Sequence, residues 1–332
     1  MSERLTQLKQ WLREKTGQDC ELAPASSDAS FRRYFRIAVE QGSQIVMDAP
    51  PEQEDCRPFI HVAELLRSAG LNAPEVIAQD LEAGFLLLSD LGNTTYLEVL
   101  NEDSADRLYA DALQALTGIQ TGIDIETAEL PAYDEVLLQT ELDLFKDWYL
   151  EKHSGVALNE QQQTVWQKTC QILIASALAQ PAVCVHRDYH SRNLMQIDEG
   201  QNPGILDFQD AVTGPVTYDL VSLLRDCYIS WPRAQVEEWV EGFYGQTIRA
   251  GTIDADKVSK KQFLQWFDLM GVQRHLKAIG IFARLLHRDD KQGYIKDIPR
   301  TLAYVLDVCQ RCPELHDFHQ LLLELKLPDH VI

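Results

Sequence analysis

The sequence predicts a mixed α/β (α+β) chain in two parts, a small β-rich N-terminal part and a larger helical C-terminal part. Three observations carry that reading. Apolar residues recur at strand spacing through much of the first ninety or so positions, and at helical spacing from about residue 95 onward. A short β-like island, Val183–Val185, Leu194–Ile197 and Gly204–Leu206, interrupts the helical part. The boundary falls in the connector Leu88–Asn93, so residues 1–91 form the β-rich part and residues 92–332 the helical part. A site between two such parts is a common arrangement.

Each element has a local reason. Leu5, Leu8, Trp11 and Leu12 form one buried stripe of a first helix that ends at Gly17. The segment Pro24–Ser30 is polar and reads as a turn. Tyr34–Val39 and Gln44–Ala49 read as strands split by the turn Glu40–Ser43. Phe59, Val62, Leu65, Leu66 and Ala69 make a helical stripe that stops at Gly70. Val76–Gln79 and Phe85–Ser89 read as a hairpin around Glu82–Gly84. Helices are expected at 104–121, 135–153, 159–180, 219–230, 235–250, 258–288 and 299–311.

Composition bounds the function. With 332 residues, 45% hydrophobic and 24% charged, the chain is an ordinary globular sequence long enough to bury a sizeable core. A formal charge of -21 argues against general affinity for nucleic acid or anionic lipid. No apolar run reaches the length of a membrane span, and the segment Met1–Gly17 lacks the apolar core of a secretory signal. Seven cysteines, an odd number, suit reduced thiols, and Cys309 and Cys312 read as two thiols on one helix. A cytoplasmic protein is expected, and no protein partner is implied.

The chemistry lies in Val183–Met195 and the segment after it. His186-Arg187-Asp188, four intervening residues and Asn193 are followed fourteen residues on by Asp207-Phe208-Gln209. Phosphoryl transfer needs a carboxylate to orient the nucleophile and take its proton, and oxygen ligands to hold Mg²⁺ against phosphate. Asp188 suits the first role. Asn193 and Asp207 suit the second, since Mg²⁺ takes hard oxygens and few of them from protein. The pattern matches the kinase signature H-R-D-x-x-x-x-N followed by D-F-G, with Gln209 in place of glycine. The fold this implies is protein-kinase-like and two-lobed, with ATP as the cosubstrate. An ordinary protein kinase is excluded: no glycine lies between Gly17 and Gly42 to build a G-x-G-x-x-G loop, and no A-P-E follows Asp207.

Longer segments point to a narrower group. Val185–Leu194, Leu206–Asp210 and Gly214–Leu220 resemble the aminoglycoside phosphotransferase and choline kinase-like family of small-molecule kinases. Asp28–Arg36, Met47–Pro51, Leu88–Gly92 and Gln273–Arg284 resemble its anomeric sugar kinases of bacterial cell-wall recycling, which phosphorylate N-acetylmuramate and N-acetylglucosamine at C1. That resemblance implies transfer of the ATP γ-phosphoryl to an N-acetylated amino sugar. It also implies that Leu86–Leu91, including Ser89 and Leu91, is the hinge that reads adenine with main-chain atoms, and that Asp219 supports the catalytic segment. Asp219 also reads as a helix N-cap, and His186 as a buried support for the loop.

Two features stand outside that pattern. Kinases of this fold carry a phosphate-contacting lysine on the strand after the phosphate loop. Here Ser43–Ala49 has none, and Met47 or Asp48 takes its place. The substitute grip is expected from Ser30, Phe31, Arg32 and Arg33, with one of the two arginines facing the triphosphate. Arg274, His275, Lys277 and Arg284 cluster on one helix, either as a solvated basic face or as a positive patch facing an anionic sugar. Two other functions stay open: phosphorylation of an aminoglycoside or amino alcohol, which the acidic charge would suit, and a catalytically silent kinase-like binding module, which the missing lysine would suit.

Overall fold

A computed structural model describes residues 3–27, 31–40, 42–197 and 202–327. The chain divides into two compact units, Met1–Val99 with Arg192–Asp210, and Leu100–Ser191 with Ala211–Ile332.

The first unit holds a helix α1 (Glu3–Thr16), strands β1 (Ala23–Ser27), β2 (Arg33–Val39) and β3 (Gly42–Asp48), helix α2 (Arg57–Ser68), strands β4 (Val76–Asp80) and β5 (Phe85–Ser89), and a short helix α3 (Tyr96–Val99). The five strands form one antiparallel sheet in the order β1-β2-β3-β5-β4. Its core joins Leu8, Trp11 and Leu12 of α1 to Ile37, Val46, Phe85 and Leu87 of the sheet, as the α1 stripe anticipates. The β4–β5 hairpin requires glycine at its turn: Gly84 has φ 71°, and a Cβ there would lie 1.9 Å from the Ala49 carbonyl oxygen. Strand β1 departs from expectation. Its sequence, Ala-Pro-Ala-Ser-Ser, carries no strand-like apolar pattern, but pairing with β2 organises it, and Pro24 is tolerated because β1 is an edge strand.

Strands β7 (Leu194–Met195) and β8 (Gly204–Ile205) pair with each other. Bridges Asn72↔Gly204 and Thr95↔Met195 tie them to the first unit. A boundary at residues 91 and 92 assigns this segment to the helical part, whereas Arg192–Asp210 clusters with the sheet. The hydrogen bonds of so short a hairpin, rather than its place in the sequence, decide where it goes.

The second unit is built from α4 (Ala105–Gly122), α5 (Glu135–Leu144), α6 (Glu160–Leu178), α7 (Tyr218–Leu224), α8 (Arg233–Arg249), α9 (Lys260–Asp289), α10 (Ile298–Arg311) and α11 (His316–Glu324), with strand β6 (Ala182–Val185) paired antiparallel to β9 (Val212–Pro215). Helix α9 runs through its middle and buries seventeen of its residues, from Phe263 to Leu285. The expected helix 135–153 changes character at Leu144 and continues as a π-helical stretch, Phe145–His153. At that junction Gly280 of α9 lets two backbones meet, since a Cβ on it would lie 2.3 Å from the Leu144 carbonyl carbon. The expected helix 219–230 stops at Leu224, where Asp226 turns its carboxylate to the N–H groups of Ser191 and Tyr228. Among the described residues no helix is long and apolar enough to cross a membrane. All seven cysteines are free thiols.

Candidate active site

In the second unit, β6 delivers the chain to His186-Arg187-Asp188, and α7 holds the loop in place. Asp219 is almost fully buried and accepts the backbone N–H groups of His186 at 2.6 Å and Arg187 at 2.9 Å. It is therefore not the N-cap of α7. Thr217 precedes that helix, and Asp219 lies inside its first turn, holding the loop before Asp188. Arg187 adopts φ 77°, a left-handed backbone that these two bonds help to maintain. Burial pushes the Asp219 carboxyl up to about 7 against the pull of both N–H groups. His186 is buried, and its Nδ1 accepts the Asp188 N–H at 3.2 Å. Downstream, Asp226 accepts both the N–H and the hydroxyl of Ser191. The loop around Asp188 is thus held by buried carboxylates on both sides.

Asp188 is half-buried. Burial alone raises its carboxyl, but its basic neighbours Lys277, His190, Arg274 and His186 hold it down at about 2. It is a carboxylate at every physiological pH.

Helix α9 supplies two of those neighbours. Lys277 is buried, 3.0 Å from Glu141 of α5 and 3.0 Å from the Tyr218 hydroxyl. Burial would lower its pKa, and the Glu141 charge raises it instead. Glu141 also pairs with Arg187 and accepts the Tyr133 hydroxyl, and these cations hold it ionised despite its burial. Arg274 is 5% exposed. The helix face is therefore buried, not solvated. His275 does not join the group. Its ring stacks on Tyr304 and bonds the Arg225 carbonyl at 2.8 Å, and burial depresses it to about 3, so it is neutral.

The first unit carries Asn193 and Asp207. The Asn193 amide donates to one Asp207 oxygen at 3.2 Å, and Gln209 donates to the other at 2.9 Å. The Leu206 N–H bonds the Asn193 carbonyl at 2.9 Å, so β7 and β8 hold the two residues side by side. Phe208 packs on Phe59 of α2, with ring centroids 4.8 Å apart.

The same unit separates the two arginines. Arg33 faces Asp48 across the β2–β3 register and pairs with it, and Asp48 is wholly buried. Arg32 pairs with Glu54 at 3.0 Å with its side chain 8% exposed, and it feels the charge of Asp207. Phe31 is 62% exposed and donates its N–H to Glu54. Ser30 lies outside the described residues. Ser89 has its N–H bonded to the Glu75 carbonyl and its hydroxyl to the Glu75 N–H. Both donor and hydroxyl of Ser89 thus serve the sheet. Leu91 is half-buried, and Gly204 leaves room for it: a Cβ there would lie 3.1 Å from the Leu91 Cδ1.

Residues 21–252 match the phosphotransferase enzyme family. The chain belongs to that family. Among its relatives, a Pseudomonas putida protein named N-acetylmuramate/N-acetylglucosamine kinase is 51% identical over 306 residues, 92% of this chain and 88% of that protein. A Neisseria meningitidis serogroup B protein of the same name is 41% identical over 327 residues, 97% of this chain and 96% of that one. Among solved structures, ADP-bound aminoglycoside phosphotransferase APH(2'')-Ib superposes with TM-score 0.60 at 15% identity, covering 92% of this chain and 98% of that one. Choline kinase LicA from Streptococcus pneumoniae does so with TM-score 0.60 at 13% identity, covering 91% and 99%. The last two are likenesses of fold.

Within this phosphotransferase, sequence reasoning missed Glu141 and Asp226. Glu141 had a usable signal. Leu138, Glu141, Leu142 and Phe145 stand at i, i+3, i+4 and i+7, which puts a carboxylate in an apolar stripe. Asp226 had none, because it follows a helix that ends earlier than its pattern suggests.

Proposed function

We propose that this phosphotransferase moves the γ-phosphoryl of ATP to the anomeric hydroxyl of N-acetylmuramate or N-acetylglucosamine, giving the sugar 1-phosphate as in cell-wall recycling. The observation that carries the reading is the relatives of that name, at 41% and 51% identity over almost the whole chain. The geometry supports it. Asp188 is ionised and held by its loop, as a group that orients a hydroxyl and accepts its proton must be. A carboxyl near 2 is a weak base, but a loose phosphoryl-transfer transition state asks for little proton abstraction. The anomeric hydroxyl is also more acidic than an ordinary alcohol.

Mg²⁺ fits the residues present. Asn193 and Asp207 flank the paired strands β7 and β8 and bring a side-chain amide up against a carboxylate. Among the described residues no set of three or more His, Cys, Asp or Glu gathers as a self-sufficient metal site. Two hard-oxygen residues are what a cation arriving with nucleotide phosphates needs. Such an ion would offset phosphate charge. Arg32, beside Asp207 in charge range, is the residue placed to add a second positive group.

The test is an ADP-release screen with Mg·ATP against the two amino sugars, aminoglycosides and choline. Turnover of the amino sugars supports the reading. Turnover of an aminoglycoside or choline alone replaces the substrate class, and turnover of none favours a silent binding module.

A further inference from the structure

We propose that Arg274 binds a carboxylate on the acceptor sugar and so selects an acidic N-acetylated amino sugar over its neutral counterpart. The inference rests on the proposed reaction and deepens it. N-Acetylmuramate differs from N-acetylglucosamine by a lactyl ether on C3, two ring atoms from the anomeric carbon, and that ether carries the only carboxylate.

Of the three neighbouring basic residues Arg274, His275 and Lys277 of α9, two are already satisfied. His275 is turned to the Arg225 carbonyl and is neutral. Lys277 is paired with Glu141, which also neutralises Arg187. Arg274 is different. It is 5% exposed, its Nη1 lies 3.8 Å from the Cys227 sulfur, and its Nε has no hydrogen-bond partner. Among the described residues no carboxylate stands within ion-pair distance of it. Cys227 does not supply the missing charge, because burial raises its thiol pKa and keeps it neutral.

Arg274 feels the charges of Asp188 and Asp226 but contacts neither, and a buried guanidinium with no anion in hydrogen-bond contact is strongly unfavourable. Its retention beside the reacting carboxylate points to an anion that arrives with a ligand. Two anions come to Asp188 in this reaction, the transferring phosphoryl group and the acceptor's carboxylate. The phosphoryl group arrives with the divalent cation of its nucleotide to answer it. On α9, Lys277 is held by Glu141, and Arg274 rather than Arg284 is among the charges that hold Asp188 down. A planar guanidinium also matches a carboxylate in a way a point charge does not.

The experiment measures kcat and KM of the full chain with N-acetylmuramate, its methyl ester and N-acetylglucosamine, for wild type, Arg274→Gln and Arg274→Lys. The readout is the ratio of kcat/KM for the acid to that for each neutral acceptor, which cancels any general loss of folded enzyme. In Arg274→Gln that ratio should fall by roughly tenfold to hundredfold, carried by KM, as loss of a charge-assisted contact predicts. Arg274→Lys should recover part of it, because the charge stays and the fork is lost. If the glutamine variant does not fold, wild type alone still decides: it should prefer the acid to its ester by a similar factor. An unchanged acid-to-neutral ratio in the variants, or a wild type indifferent to esterification, overturns the assignment. A wild type that turns over neither sugar is a separate outcome, which removes the proposed reaction and this inference with it.

Discussion

Removing Arg32 and Arg33 one at a time separates two arginines that are adjacent in sequence and differ in surroundings. Arg32 is 8% exposed, pairs with Glu54 at 3.0 Å and lies in the field of Asp207. If it grips the triphosphate, it exchanges the Glu54 pair for two charge-assisted bonds to phosphate oxygens. Each such bond contributes about 1.5–3 kcal/mol, and the lost pair offsets part of the sum, leaving about 2 kcal/mol or a ~30-fold rise in KM for ATP in Arg32→Ala. Arg33 is 43% exposed and paired to Asp48. Asp48 is wholly buried but keeps Arg4 at 2.6 Å, so the carboxylate is not left bare. Arg33→Ala should therefore cost only about 1 kcal/mol of stability after screening, a melting shift of about 2–4 °C, with little change in KM for ATP. Steady-state kinetics with varied ATP and a thermal melt read both effects. Equal, negligible KM changes in the two variants, or the larger change in Arg33→Ala, would refute the reasoning and place the phosphate grip elsewhere.

Other perturbations test other parts of the site. Asp188→Asn should lower kcat about 10²–10⁴-fold while Mg·ATP binding, read by calorimetry, persists. Because the Asp188 carboxyl is held near 2, it stays charged as pH falls until that range, so the wild-type kcat/KM profile should show no acid limb from it above about pH 3. Asp207→Ala should weaken metal-dependent nucleotide binding more than Asn193→Ala does, since a charged ligand contributes more than an amide; calorimetry with and without Mg²⁺ that finds unchanged metal dependence in Asp207→Ala removes the ligand assignment. Gly280→Ala should destabilise by about 1–3 kcal/mol in a denaturant melt, because its Cβ would meet backbone that cannot rotate away. An unchanged midpoint would show that α9 and the Leu144–Phe145 junction part freely.

The candidate site was read from residue types that are rarely combined for any other reason. Asp188, Asn193 and Asp207 came from the H-R-D-x-x-x-x-N and D-F pattern, and the structure sets Asn193 against Asp207. The sheet was mostly legible too, since β2 to β5 alternate or run apolar between turn residues. What stayed hidden was settled by tertiary pairing. Strand β1 has no apolar alternation and takes its form from β2, and β9 contains Gly214 and Pro215, which are poor strand formers. Gly214 is nonetheless required there, as a Cβ on it would sit 2.9 Å from the Tyr133 Cβ. The basic residues of α9 were read as one cluster, whereas Arg274, His275 and Lys277 are buried and His275 turns away from the other two. A pattern of charges does not reveal that Glu141, on a distant helix, is present to neutralise Lys277. The choice between Arg32 and Arg33 likewise depended on which carboxylate each one meets.

The central claim is the transfer of phosphate to the anomeric hydroxyl. Incubating the protein with Mg·ATP and N-acetylmuramate or N-acetylglucosamine and recording phosphorus NMR of the product addresses it directly. The account predicts a phosphomonoester signal coupled to the anomeric hydrogen. Coupling to the C6 methylene hydrogens would contradict the anomeric assignment, and the absence of any sugar phosphate would contradict the reaction itself.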